Sequence, residues 1–201
     1  MKIVIVGAGR GLGHVLAQML AEKGHTVVAG LRRLDDTISE RENLIYLQMD
    51  ATDEGQIRDA VQWTKHHVGE IDAVVYVAGI LLQSDRTETL LTESLDDIRK
   101  QIEVNALGLI TVFRDFLPVI KKSGLFIGVT SEGGSFANEG SLFPAYGVSK
   151  TTANKIIQTL RVTVGESINV YAVHPGRMNT DMGRTCLLYT SPSPRDVEES
   201  R

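Results

Sequence analysis

Gly7-Ala8-Gly9-Arg10-Gly11-Leu12-Gly13 follows the apolar run Ile3-Val4-Ile5-Val6 and leads into a helical pattern, Leu12–Lys23. A buried strand, a glycine turn and a helix, in that order, form the phosphate-binding arrangement of dinucleotide folds. Glycines permit the tight turn and a close backbone approach, while the helix N-terminus offers unpaired N–H groups to a pyrophosphate. Glycine clusters also serve ordinary turns; the strand before this one and the helix after it select the dinucleotide reading. Within the helical pattern Leu12, Val15, Leu16, Met19 and Leu20 share one stripe, predicted to face the core, with Gly24 as the C-cap.

The alternation continues along the chain. Strand candidates are Lys2–Val6, Thr26–Gly30, Leu44–Gln48, Ala73–Val77, Gly124–Thr130 and Ile168–Val173. Thr52 or Asp53 is placed to cap a helix reaching about His67, with Ile57, Ala60, Val61 and Trp63 apolar. A longer helix is predicted from about Leu95 toward Phe116, ended or kinked by Pro118, and another over Ala145–Val164. Apolar strands alternating with helices predict an α/β fold: a doubly wound parallel sheet of Rossmann type, three layers deep, with helices on both faces. No repeat period recurs and no Pro/Gly linker divides residues 1–185, so a single domain is expected there.

With 201 residues, 42% hydrophobic and 23% charged, the chain is long enough for one large domain that buries about 70% of its unfolded surface. A net charge of −4 gives no electrostatic reason to bind nucleic acid or an anionic membrane. No apolar run is long enough to span a bilayer, and the apolar start is too short for a signal peptide, so a cytoplasmic location is expected. Near the end, Cys186-Leu187-Leu188-Tyr189-Thr190-Ser191-Pro192-Ser193-Pro194-Arg195-Asp196 resembles the translation of a transposase-type sequencing adapter. Residues 186–201 are therefore set aside as a non-native tail, and the domain is expected to be incomplete at its C-terminal end. A natural Ser/Pro-rich tail is the alternative. The single cysteine, Cys186, lies in this segment, so residues 1–185 can hold no disulfide or thiolate metal site. His66 and His67 are adjacent and diverge on a helix, unlike a metal pair, and neither a nucleophile elbow nor a P-loop is present.

Tyr146-Gly147-Val148-Ser149-Lys150 puts a phenol and an ammonium on one helical face. A cation held beside a phenol favours the phenolate and lowers its pKa, which suits proton transfer to a carbonyl beside a hydride source.

The spacing Gly7-x-x-x-Gly11-x-Gly13 resembles the short-chain dehydrogenase/reductase family, in its shorter single-domain branch. Further segments match that family in order. They are Gln48-Met49-Asp50-Ala51, Val77-Ala78-Gly79, Val104-Asn105-Ala106-Leu107-Gly108, Thr130-Ser131-Glu132-Gly133-Gly134 and His174-Pro175-Gly176 with Thr180. The chain departs from the family at Tyr76 and Val77, where two asparagines are usual, and the spacing from Ser131 to Tyr146 is slightly long. The resemblance implies catalytic roles for Asn105, Ser131, Tyr146 and Lys150. Tyr146 is the expected proton donor or acceptor, and Lys150 lowers its pKa and bonds the nicotinamide ribose. Ser131 polarises the substrate oxygen, and Asn105 holds a water that relays protons toward Lys150. Alternatively Ser131 caps a turn and Asn105 bonds a neighbouring loop. The resemblance also implies that Gly7, Arg10, Gly11, Leu12, Gly13, Arg32, Asp50, Ala51, Ala78, Gly79, Tyr146, Lys150, Pro175, Gly176 and Thr180 bind the cofactor.

Charge argues the cofactor's identity. An acidic residue at the end of the second strand would bond the ribose hydroxyls and repel a 2′-phosphate. Gly30-Leu31-Arg32-Arg33 instead supplies two guanidiniums, with Arg10 nearby, which favours NADP over NAD. Asp35 and Asp36 follow and could pair with those arginines instead. The expectation is an NADP-dependent oxidoreductase acting on a small-molecule carbonyl or alcohol. The alternatives are a non-catalytic NAD(P)-binding regulatory protein of the same fold and, with less support, a sugar-nucleotide epimerase. Family members commonly pair through long helices, so a homo-oligomer is plausible for a full-length parent. The sixth strand is expected to be an exposed edge.

Overall fold

The structure, a computed structural model, describes residues 1–34, 41–137, 142–176, 178, 180 and 182. Six parallel strands form one sheet: β1 (Lys2–Val6), β2 (Thr26–Leu31), β3 (Leu44–Gln48), β4 (Ile71–Tyr76), β5 (Ile120–Val129) and β6 (Asn169–Val173). Their order is β3-β2-β1-β4-β5-β6, so the winding direction reverses between β1 and β4. In open α/β sheets ligands bind at that reversal, beyond the C-terminal strand ends. Those ends are in register here: Val6 lies beside Gly30 and Tyr76, Tyr76 beside Gly128, and Val129 beside Val173. The loops carrying the chemistry of the chain therefore leave the sheet at one edge.

Helix α1 (Gly11–Glu22) packs on one face of the sheet, while α2 (Glu54–His67), α4 (Gly108–Phe116) and α5 (Pro144–Val164) pack on the other. The α2/α4/α5 side holds Val4, Val6, Val74, Phe113, Phe116, Phe126 and Ile157, all buried, with Phe113 and Phe126 edge to face at 4.8 Å. Alternate residues Ile3, Ile5, Val27, Ala29, Ala73 and Val75 face α1. No described helix covers this second face beyond β4, and Tyr171 and Val173 of β6 remain 50% and 40% exposed at the edge of the sheet. The expected edge strand is therefore present.

One expectation is corrected, and another is refined. The buried side of α1 is Gly13, Ala17 and Ala21, whereas Val15 and Met19 are 52% and 48% exposed. A β-carbon at Gly13 would fall 2.2 Å from the Gly7 carbonyl oxygen. So close an approach makes the small-residue face at i, i+4 and i+8 the contact surface and turns Val15 and Met19 outward, while Leu16 and Leu20 still pack against the core. The long helix predicted over 95–116 is present, with a π-helical insertion within it. It runs as α3 (Leu95–Ile102), a π-helical turn (Glu103–Leu107) and then α4, ending at a 3₁₀ turn that contains Pro118. A π turn adds one residue to the helical circuit without interrupting the rod, a feature common at functional sites. Of the two candidate caps for α2, Asp53 is the one used, accepting from Gly55 N at 2.9 Å and Gln56 N at 3.1 Å.

Candidate active site

The glycine turn builds a cradle at the end of β1. Gly7 has φ +96°, and a β-carbon there would come within 2.5 Å of Ala78 N, so the turn and the segment after β4 touch backbone to backbone. The amides of Gly7 and Ala8 both donate to the Gly30 carbonyl, at 3.1 and 2.8 Å, and Val77 and Ala78 likewise share Val6. Helix α1 begins without a side-chain cap, since Arg10 is extended and makes no capping bond. Its first amides open onto the turn, with Leu12 in the first helical turn, and suit an anionic ligand. Gly11 has φ +56° and lies 3.5 Å, at its notional β-carbon, from Thr180 Cγ2, so Thr180 sits against the cradle. Arg10, Arg32 and Arg33 are exposed at the same edge and form no ion pair among the described residues. Asp35, Asp36 and residues 183–201 lie outside the described residues.

Asp50 follows β3 and uses Oδ1 to accept from Thr52 N (3.0 Å) and Thr52 Oγ1 (2.7 Å). Ala51 is buried against Gly108. Pro175 and Gly176 follow β6, next to the bond from Thr130 N to the Val173 carbonyl at 2.9 Å. The expected cofactor residues are thus spread along the C-terminal edge, on the loops after β1, β2, β3, β4 and β6 and, for Tyr146 and Lys150, on α5.

Asn105 and Lys150 meet at Gly79 after β4, Tyr146 lies on the same helix as Lys150, and the Ser131 turn after β5 reaches that helix through Gly134. Lys150 is only 3% exposed, and its Nζ donates to the Val129 carbonyl at 3.0 Å and lies 5.6 Å from the centroid of the Tyr146 ring. Burial pulls its pKa down from 10.5 to about 8. Asn105, in the π turn, grips Ile80 at both backbone groups: Oδ1 accepts from Ile80 N at 2.7 Å and Nδ2 donates to Ile80 O at 2.9 Å. Its second amide hydrogen goes to Ser149 Oγ at 2.8 Å, and that hydroxyl donates to the Tyr146 carbonyl at 2.7 Å. Both donors of Asn105 are committed, so an ordered water could be held only through the second lone pair of Oδ1. A β-carbon at Gly79 would lie 3.3 Å from Asn105 Oδ1 and 3.4 Å from Lys150 Nζ, which places both polar groups around Gly79. Ser131 accepts from Gly133 N at 3.2 Å and caps a short turn, Glu132–Gly134; its hydroxyl proton is not used in that bond.

Four residues, Gly134, Ser149, Tyr76 and Asp85, help build this site without a decisive mark in the sequence. Gly134 meets α5 so closely that a β-carbon would sit 2.7 Å from the Lys150 carbonyl carbon, pinning the Ser131 turn to the helix. Thr151 Oγ1 and Asn154 Nδ2 both donate to the Gly134 carbonyl, at 3.2 and 3.1 Å. Ser149 is fully buried between Asn105 and Tyr146. Tyr76, at a position where the family usually has asparagine, is fully buried and donates its hydroxyl to the Val104 carbonyl at 2.5 Å. Burial pushes its pKa above the ordinary phenol range. It thereby ties the end of β4 to the π turn. The fourth is Asp85, whose carboxylate accepts from Ala145 N and Tyr146 N.

Comparison with known proteins gives one answer. The family described as short chain dehydrogenase matches residues 1–187. A short chain dehydrogenase of Penicillium aethiopicum, gsfK, is 31% identical over 203 residues, covering 92% of this chain and 78% of that protein. An NADPH-dependent pterin aldehyde reductase of Arabidopsis thaliana is 26% identical, with coverage of 94% and 82%. Among solved structures, a short-chain dehydrogenase/reductase of Burkholderia multivorans with bound NADP superposes with a TM-score of 0.82 at 26% identity, covering 90% of this chain and 81% of its own. The chain belongs to the short-chain dehydrogenase/reductase family and is an oxidoreductase of the CH–OH/C=O class.

Proposed function

We propose that this chain is an NADP-dependent oxidoreductase that interconverts a small-molecule carbonyl and its alcohol, with Tyr146 as general acid/base. The observation that carries the reading is the buried ammonium of Lys150, fixed on Val129 O and facing the Tyr146 ring at 5.6 Å. The bound dinucleotide supplies or takes the hydride. Gly7, Gly11, Leu12, Gly13, Ala78 and Gly79 form the backbone cradle for it, and Asp50, Ala51, Pro175, Gly176 and Thr180 flank that cradle. Tyr146 gives its phenolic proton to the substrate oxygen in reduction and recovers one in oxidation. Bringing a phenol from about 10 to about 7 requires roughly 4 kcal/mol of preference for the phenolate. With a pKa of about 8, Lys150 keeps most of its charge at neutral pH and supplies part of that preference. Ser131 can donate to the same oxygen, since its bond to Gly133 uses only a lone pair. Asn105 orients the segment from Gly79 to Ile80 and, through Ser149, the Tyr146 backbone.

Preference for NADP is supported by Arg10, Arg32 and Arg33, three exposed guanidiniums around the cradle where an acidic residue would repel a 2′-phosphate. The Burkholderia structure with bound NADP and the NADPH-dependent Arabidopsis relative point the same way.

Tyr146→Phe tests the catalytic role. Dinucleotide affinity should stay within about twofold while turnover on aldehydes, ketones or alcohols drops at least about a hundredfold. Unchanged turnover would refute the role of Tyr146. Dinucleotide binding by the unsubstituted chain, with no turnover on any of these substrates, would favour a regulatory protein.

A further inference from the structure

We propose that Asp85, backed by a protonated Glu93, positions the first turn of the helix carrying Tyr146. Asp85 lies in a single 3₁₀ turn, Ser84–Arg86, with no exposed surface. Its Oδ1 accepts from Ala145 N at 2.9 Å and its Oδ2 from Tyr146 N at 2.7 Å. The backbone at the start of α5 is thereby fully accounted for. Pro144 has no N–H, Asp85 takes the next two, Gly147 N reaches the Phe143 carbonyl at 2.8 Å, and Phe143 supplies no side-chain cap. A carboxylate at a helix N-terminus also faces the positive end of its dipole. Arg86, next in the chain, lies over the Phe143 ring at 5.5 Å, so the turn grips the helix start at two points.

Glu93 completes the arrangement. It is 6% exposed, and its Oε1 accepts from Ser84 Oγ at 3.0 Å. Its Oε2 is buried with no partner among the described residues. The charge of Asp85 acts on the Glu93 carboxyl. Two ionised carboxylates would present acceptor to acceptor and leave this buried oxygen unsatisfied. A proton on Glu93 Oε2 converts it into a donor to Asp85, satisfies the orphan, and leaves both Asp85 oxygens able to accept from the helix. Burial pushes the Glu93 carboxyl up from 4.5; Ser84 opposes this, and the charges of Asp85 and then Asp97 add to it. Arg86 and Tyr146 are the other ionisable side chains on the two joined segments.

The turnover arm of the test rests on the reading of Tyr146 given above; the amide arm does not. The measurements, on the full chain, are kcat, dinucleotide Kd and hydrogen exchange at the Ala145 and Tyr146 amides. Asp85→Ala should raise that exchange at least about tenfold and lower kcat by a similar factor, with dinucleotide Kd within about twofold. Asp85→Asn keeps one acceptor and should fall between. Glu93→Gln mimics the protonated acid and should keep protection and kcat within about twofold, whereas Glu93→Ala should lose both. Amide exchange unchanged in Asp85→Ala would overturn the positioning role whatever the turnover. A loss in Glu93→Gln equal to that in Glu93→Ala would overturn the proton on Glu93. Altered exchange with unchanged turnover would leave the positioning intact and count against the catalytic reading of Tyr146.

Discussion

The Nζ of Lys150 donates to the carbonyl of Val129, the last residue of β5, at 3.0 Å. This bond joins the end of β5, two residues before Ser131, to α5 in a place almost closed to water. A cation so placed is costly, and a pKa drawn from 10.5 to about 8 by burial corresponds to on the order of 3 kcal/mol at neutral pH.

Lys150→Met should therefore lower kcat at least about a hundredfold without lowering the melting temperature at pH 7. The sign of the pH dependence follows from the depressed pKa. The full contribution of Lys150 to stability is present above 10.5 and is lost as pH falls toward about 8. Melting curves of the unsubstituted chain should thus show a component rising with pH over that interval, and Lys150→Met should lack it. A variant melting well below the parent at pH 7 would contradict the desolvation account.

Gly134→Ala should separate position from binding. The new methyl group would press on the Lys150 backbone at 2.7 Å, where neither partner is a flexible side-chain end. Overpacking of this kind costs about 1–3 kcal/mol. Displacement of the Ser131 turn from α5 should lower kcat about tenfold or more while dinucleotide Kd changes little. Equal losses in kcat and dinucleotide affinity would mean that the cradle depends on this contact as well.

Tyr76→Phe removes the hydroxyl that donates to the Val104 carbonyl. The expected cost is about 1–3 kcal/mol of stability, measured by denaturant unfolding with an unchanged m-value. A loss below about 0.5 kcal/mol would show that the π turn does not rely on this bond.

Arg32→Asp tests the cofactor reading through binding alone. The ratio of NADP to NAD affinity should fall by at least about tenfold, because a carboxylate would accept from ribose hydroxyls and repel a 2′-phosphate. An unchanged ratio would remove the argument from Arg32.

Much of this arrangement is legible along the chain, and the reason is local. The turn from Gly7 to Gly13, the caps at Asp53 and Gly24 and the Tyr146–Lys150 spacing depend on backbone geometry within a few residues, which residue type reports directly. Strands β1, β2 and β4 appear near their expected bounds because apolar runs buried on both faces need no partner to be recognised. The corrected face of α1 fails for the opposite reason: the most apolar stripe predicts burial only when helix and sheet keep ordinary separation, and Gly13 removes that separation. The π turn at Glu103–Leu107 preserves the apolar periodicity on either side and leaves no composition mark.

From sequence alone come the doubly wound α/β plan, the glycine cradle and the candidate catalytic set, because each rests on short-range stereochemistry. Tertiary structure alone decided that Asp85 meets the start of α5 from 60 residues away, that Gly134 seats the Ser131 turn on Lys150, and that Tyr76 reaches Val104. Those contacts join segments distant in the chain, and their bond lengths and burial exist only once the sheet has brought its C-terminal edge together.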